Sequence, residues 1–142
     1  LDDPLSEAGA LTALSFVYKD LGQVEKALAL QGKALGLYQH LNDSMNGSKV
    51  LLNLSLIYRD QGRFQDALDS ATAALEIQKQ EPDPGRLAEI EGTIGTIHEK
   101  NGHFSEALQH LKKARDYFEQ AGASQALHII DLRIQALQDQ ME

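Results

Sequence analysis

His103, Glu106 and His110 fall at i, i+3 and i+7 of one run, a spacing that could bring two imidazoles and a carboxylate to one side of a helix. Such a trio could hold a divalent cation, but a closed site wants a fourth ligand and the neighbouring sequence offers none. The matching run near the N-terminus carries Gln23, Lys26 and, beside the third place, Gln31. The histidine trio therefore reads as the solvated face of a packed helix. His98 reads as a core or edge histidine, and His40 and His128 stand alone. Cysteine is absent, so thiolate metal sites and disulfides are excluded. No glycine loop of the kind that cradles phosphate is present, and the Asp and Glu residues follow helix surfaces without an acid–base pair. The residues argue for no catalysis, no cofactor and no metal.

The glycines have another purpose. Tyr58-Arg59-Asp60-Gln61-Gly62-Arg63-Phe64-Gln65-Asp66-Ala67-Leu68 has counterparts 40 residues away on either side, Tyr18 to Leu28 and His98 to Leu108. A fixed period of this size marks stacked helical repeats. Aligned on Gly22, Gly62 and Gly102, the copies share a small residue at Ser15, Ser55 and Gly95, and alanines at Ala27, Ala67 and Ala107 and at Ala34, Ala74 and Ala114. Small side chains at these intervals let two helices cross closely. Leu14, Leu54 and Ile94, with Val17, Ile57 and Ile97, are expected to pack around the crossing, and Val24, Phe64 and Phe104 to plug the hairpin near its turn.

Taken in order, residues 1–4 read as a frayed lead-in, and apolar spacing predicts helices over about 5–21 and 24–41. Asn42 to Gly47 is dense in turn formers and predicts a loop. Helices follow over about 48–61, 64–80, 86–101 and 104–120, with Pro82, Pro84 and Gly85 breaking the chain before the third hairpin. The repeats thus span about 5–41, 48–80 and 86–121 of a single domain, 1–142. A last helix over about 124–140, with Leu127, Ile130, Ile134, Leu137 and Met141 on one stripe, lacks the glycine–alanine signature and reads as a cap.

Small residue, Tyr, Gly, aromatic and paired Ala resemble the tetratricopeptide repeat, matched at Leu54, Tyr58, Gly62, Ala67 and Ala74. The usual period is about 34 residues, so this chain is similar to the longer variety found in cell-polarity adaptors and bacterial peptide-sensing regulators. The resemblance implies an all-α, right-handed α-solenoid of three hairpins plus the C-terminal cap. It also implies that the first helix of each hairpin lines a concave groove. Inward positions would then be Thr12, Phe16 and Lys19; Lys49, Leu52, Asn53, Leu56 and Arg59; and Glu89, Thr93 and Thr96, with Glu99 beside them. The residues agree in part, because Leu52 and Leu56 lie off the packing stripe of Leu51, Leu54 and Tyr58. Asn53 could donate to and accept from an extended backbone. The family's clamp for chaperone C-termini is excluded: Thr12, Phe16, Glu89 and Thr93 replace its required residues, and Glu89 would repel a carboxylate.

The 142 residues carry 21 acids against 13 bases, a net charge of −8, which argues against nucleic acid and anionic membranes as partners. No apolar run is long enough to span a bilayer, and the acidic start, Leu1-Asp2-Asp3-Pro4, predicts no export signal and a cytoplasmic location. The absence of an initiating Met suggests an excised or processed chain. The function expected is non-catalytic binding of a protein or peptide ligand, as the adaptor or sensor part of a larger protein. The alternative is a structural spacer or homo-oligomer that self-associates through its C-terminal helix.

Overall fold

The computed structural model describes residues 3–142; Leu1 and Asp2, part of the expected lead-in, lie outside the described residues. The helices are α1 (Pro4–Asp20), α2 (Val24–His40), α3 (Ser44–Asp60), α4 (Phe64–Gln80), α5 (Pro84–Lys100), α6 (Phe104–Gln120) and α7 (Ser124–Met141), with no strand among the described residues. Three residues join each helix to the next, and α1 to α6 are each 17 residues long. The 40-residue repeat is thus two equal half-steps, and the chain is an α-solenoid of three hairpins closed by α7.

The connectors explain this regularity. Gly22, Asn42, Gly62, Gly102 and Gly122 adopt left-handed backbone, with φ between 54 and 79°. Each lets the following amide reach back to a carbonyl in the last helical turn, as when Arg63 N donates to Tyr58 O at 2.9 Å. The one exception is Pro82, whose ring forbids that φ. There Glu81 is extended, at φ −130°, and the Gln78 amide closes the turn by donating to Glu81 O at 3.1 Å.

The first helices begin alike as well. Asp3, Asp43 and Asp83 cap α1, α3 and α5 by accepting from Leu5 N, Asn46 N and Arg86 N at 3.1, 3.1 and 3.3 Å. This corrects two expectations. Of Asn42 to Gly47 only Asn42 and Asp43 lie in a connector, because α3 starts at Ser44 and buries Gly47 against Leu35 and Tyr38. Asn, Asp and Ser signal a turn and a helix cap equally well, and here they cap. Asp3 and Pro4 likewise begin α1, and Pro84 begins α5 at its first turn rather than preceding it.

The core runs along two alternating seams, one inside each hairpin and one between hairpins. Ala27, Ala34, Ala67, Ala74, Ala107 and Ala114 are fully buried at the helix crossings, as the repeat predicts. A second series faces the small position: Gln31, Ala71 and Leu111, all fully buried, lie opposite Ser15, Ser55 and Gly95. Glycine is required in the third repeat, since a Cβ at Gly95 would sit 2.9 Å from Leu111 Cδ2 and 3.3 Å from Ala107 O. In the first repeat Ser15 Oγ donates to Ala27 O at 2.9 Å, while the neighbouring Gln31 amide has no partner among the described residues.

Between hairpins, Leu54, Ile57, Ile94 and Ile97 are buried as expected. Leu14 and Val17 are not: they are 43% and 52% exposed, because among the described residues no helix covers that side of α1. At the other end Ile130, Ile134 and Leu137 of α7 pack on Ala107, Leu111 and Ala114 of α6, and Arg115 Nε donates to Asp131 at 2.6 Å. Met141, expected on that stripe, is exposed.

Candidate functional site

The side chains that link one hairpin's first helix to the next mark a common wall. Arg59 of α3 donates to the Thr96 hydroxyl of α5 at 2.9 Å and is held from behind by Asp60 at 3.0 Å. Lys100 Nζ reaches Asp60 at 3.5 Å, and Arg133 of α7 donates to Glu99 of α5 at 2.8 Å. These bonds brace the wall, since each ties residues more than 30 positions apart.

The expected site residues divide into two groups. Thr12, Thr93 and Thr96 donate their hydroxyls to their own helix, at Ala8 O, Glu89 O and Thr93 O. Arg59 is committed to the cross-hairpin link. Leu52, half-buried, packs against the core that spans α3 to α5, so it is partly a structural residue. The rest remain presented: Lys49 and Glu89 are exposed, Asn53 and Leu56 half-buried, and Phe16 39% exposed with Lys19 Nζ 5.8 Å from its ring centroid.

Lys49, Leu52 and Glu89 come together around a cavity of about 170 Å³ between α3 and α5. Ile90 and Leu52 supply its apolar part, and Arg86 joins Lys49 and Glu89 at its rim. Thr12, Phe16 and Lys19 do not line it. Sequence reasoning missed Arg86, which it placed at a helix start, and Ile90. It also missed Ile129 and Leu132 of α7, 60% and 59% exposed, although they continue the series Lys49, Glu89 and Leu52, Gly92 at the same period. That period was the available signal. A larger cavity of about 560 Å³ lies at the α2–α3 and α4–α5 connectors, next to the irregular turn at Pro82. Of its carboxylates, Asp43 and Asp83 are occupied as helix caps, while Glu81 is exposed.

The histidine trio is not one solvated face. His103 and Glu106 are exposed, but His110 is half-buried and its Nδ1 lies 2.7 Å from the buried carboxylate of Glu91. His98 stacks on His110 with ring centroids 5.4 Å apart, and His98 Nδ1 is buried without a partner among the described residues. Among the described residues no group of three His, Cys, Asp or Glu is placed to hold a metal.

Desolvation lowers the His98 pKa, and His110 and His103 lower it further against the opposing charge of Glu106. A histidine depressed in the fold binds more protons when unfolded, so its contribution is intact above its ordinary value of 6.5 and is lost as pH falls through the folded value. Melting temperature should therefore drop on acidification below about pH 6.5. His98→Tyr, which installs the residue of Tyr18 and Tyr58, should flatten that slope; an unchanged slope assigns the acid sensitivity elsewhere.

No helix among the described residues is long and apolar enough to cross a membrane. The tetratricopeptide repeat family model matches residues 6–80 and 48–120, which together cover most of the chain. No curated protein matches it. Among solved structures, the apo form of RapI superposes with a TM-score of 0.88 at 19% identity over 99% of this chain and 39% of that one. A signal-transduction ATPase with numerous domains and a tetratricopeptide repeat sensor, from Pyrococcus horikoshii, gives 0.87 at 19% identity, over 99% of this chain and 22% of its own. A Rap protein complexed with Competence and Sporulation Factor gives 0.75 at 21% identity, over 84% and 34%. The chain thus spans well under half the length of these structures, and at such identities the likeness is one of fold. With the braced hairpins, the left-handed connectors and the family model all in agreement, the chain belongs to the tetratricopeptide repeat family.

Proposed function

We propose that the wall of first helices binds a peptide or helical segment of a protein partner, without catalysis, as the adaptor or sensor part of a larger cytoplasmic protein. The observation that carries this reading is the α3–α5 cavity. Exposed Lys49 and Glu89 flank an apolar floor there, on helices locked by Arg59–Thr96, so little order has to be created on binding. Opposite charges at the rim suit a segment with an acidic residue toward Lys49 and Arg86, a basic one toward Glu89, and an apolar side chain between. Exposed Phe16, Ile129 and Leu132 would extend the contact along the wall. That a structurally similar Rap protein was solved in complex with a factor supports the class of activity. The self-association alternative would have to use exposed Ile129 and Leu132 of α7, because the stripe of Ile130, Ile134 and Leu137 packs on α6 of the same chain.

The test uses Lys49→Glu/Asn53→Ala, which changes presented side chains and leaves the bracing bonds intact. Proteins retained by the wild type are identified, and the strongest is titrated against both forms. Binding at least about tenfold weaker in the variant, roughly 1.4 kcal/mol, is expected. Equal affinity would place recognition on another surface.

A further inference from the structure

The groove between α3 and α5 does not end at its small cavity. Gln78 and Arg86 line both that cavity, of about 170 Å³, and the one of about 560 Å³ at the connectors, so the two form one channel. Its wide end lies where Pro82 breaks the pattern of the connectors. Asn42 and Gly122, the counterparts of Pro82, are left-handed, and the next amides close onto Tyr38 O and Phe118 O at 2.9 and 3.0 Å. Pro82 cannot adopt that turn, and the Gln78 side chain reaches Glu81 O instead. Gln78 is 8% exposed, and with its amide nitrogen spent on the connector, its oxygen is the acceptor left to serve the channel.

The wide end is also the acidic one. Asp43, Glu81 and Asp83 face it with three carboxylates against the single guanidinium of Arg86, which lies 4.0 Å from Asp83. Capping does not discharge Asp43 or Asp83, because a carboxylate that accepts from an amide holds its negative charge more firmly. Met45, 53% exposed, and Ile77 give the same cavity an apolar side, which suits the methylene stem of a long basic side chain. Resting on the wall as the binding surface, we propose that this edge cavity anchors a lysine or arginine of the partner segment. The segment runs extended along α3 and α5 and leaves the wall at Pro82. Helix geometry sets the spacing. Met45 and Leu52 stand two turns apart on one face of α3, about 10 Å, which an extended chain covers in about three residues. The partner therefore carries a basic residue about three positions from the apolar residue that sits on Leu52 and Ile90.

The probe is a fluorescent decapeptide, Gly-Ser-Arg-Ser-Glu-Leu-Ser-Lys-Ser-Gly, made also in reverse order, with twins in which the arginine is alanine or glutamate. Each is titrated against the wild type, Glu81→Lys at the edge and Lys49→Glu on the wall. Glu81 is exposed, so its substitution changes the charge of the cavity and leaves the caps and the Gln78 bond in place. Glu81→Lys should weaken the arginine peptide by about fivefold, leave the alanine twin within about twofold, and bind the glutamate twin better than the wild type does. Lys49→Glu should weaken the arginine and alanine peptides alike. If Glu81→Lys weakens both of them equally, or neither, the anchor is overturned, and a loss in Lys49→Glu then keeps the wall without it. Binding that neither substitution alters overturns the anchor and the wall together. Failure of every peptide to bind the wild type overturns the anchor and leaves the wall to the captured partner.

Discussion

Leu111→Ala is expected to destabilise the protein by about 2–5 kcal/mol, the range for deleting a fully buried leucine from a core that cannot collapse. The side chain is fully buried and fills the space above Gly95, where no Cβ exists to move in behind it. The reverse change, Gly95→Ser, should cost about 1–3 kcal/mol, because the new Cβ would meet both Leu111 and the Ala107 carbonyl. The informative quantity is the double variant Gly95→Ser/Leu111→Ala, which reproduces the pair Ser55 and Ala71 that the second repeat already accommodates. It should be less damaged than the sum of the single changes by roughly 0.5–3 kcal/mol. Denaturant melts of the four proteins measure this, and simple additivity would show that the two positions do not share one space.

Removing residues 123–142 should have the other large effect. Ile130, Ile134 and Leu137 would leave α6, and each such aliphatic side chain is worth about 1.5–3 kcal/mol when fully buried. Part of that is recovered as chain entropy when α7 is no longer ordered, so the net loss is smaller than the sum. A fall in melting temperature of roughly 10–20 °C is expected, with hydrogen exchange rising first in α6. Because α5 still covers the other side of α6, the first two hairpins should keep their protection. A truncated chain that melts within a couple of degrees of the parent would mean that α7 is an ornament on an already closed solenoid.

Much of the fold was legible because packing constraints recur at one interval. Gly22, Gly62 and Gly102 announce left-handed turns, and the alanine pairs announce close crossings. What escaped were features in which one residue type serves two purposes. Asn42, Asp43 and Ser44 could end a hairpin or begin a helix, and only the bond from Asn46 N to Asp43 distinguishes these. Exposure of Leu14 and Val17 could not be read from α1 itself, since a covered and an uncovered helix have the same apolar stripe. The candidate site was legible as a set of positions, because Lys49, Leu52 and Glu89 meet at one cavity. Its chemistry was less so: whether Arg59 and the threonines are free depends on bonds across hairpins. His110 likewise acquires its partner only when α5 brings Glu91 to it.

The equal half-steps of the chain also restrict how this sequence can drift. One residue inserted inside α3 would rotate everything after it by about 100°, moving Ile57 to the place of Tyr58, Arg59 to that of exposed Asp60, and Leu56 into the buried place of Ile57. No single substitution restores the register, so length changes within helices should be eliminated. The connectors are too short to absorb them, at three residues with one fixed in left-handed backbone in five of the six cases. Growth and shrinkage then proceed in whole units of 40 residues, cut at the aspartates that begin each hairpin. Kin of this chain should therefore differ in their number of hairpins far more often than in the size of any one of them.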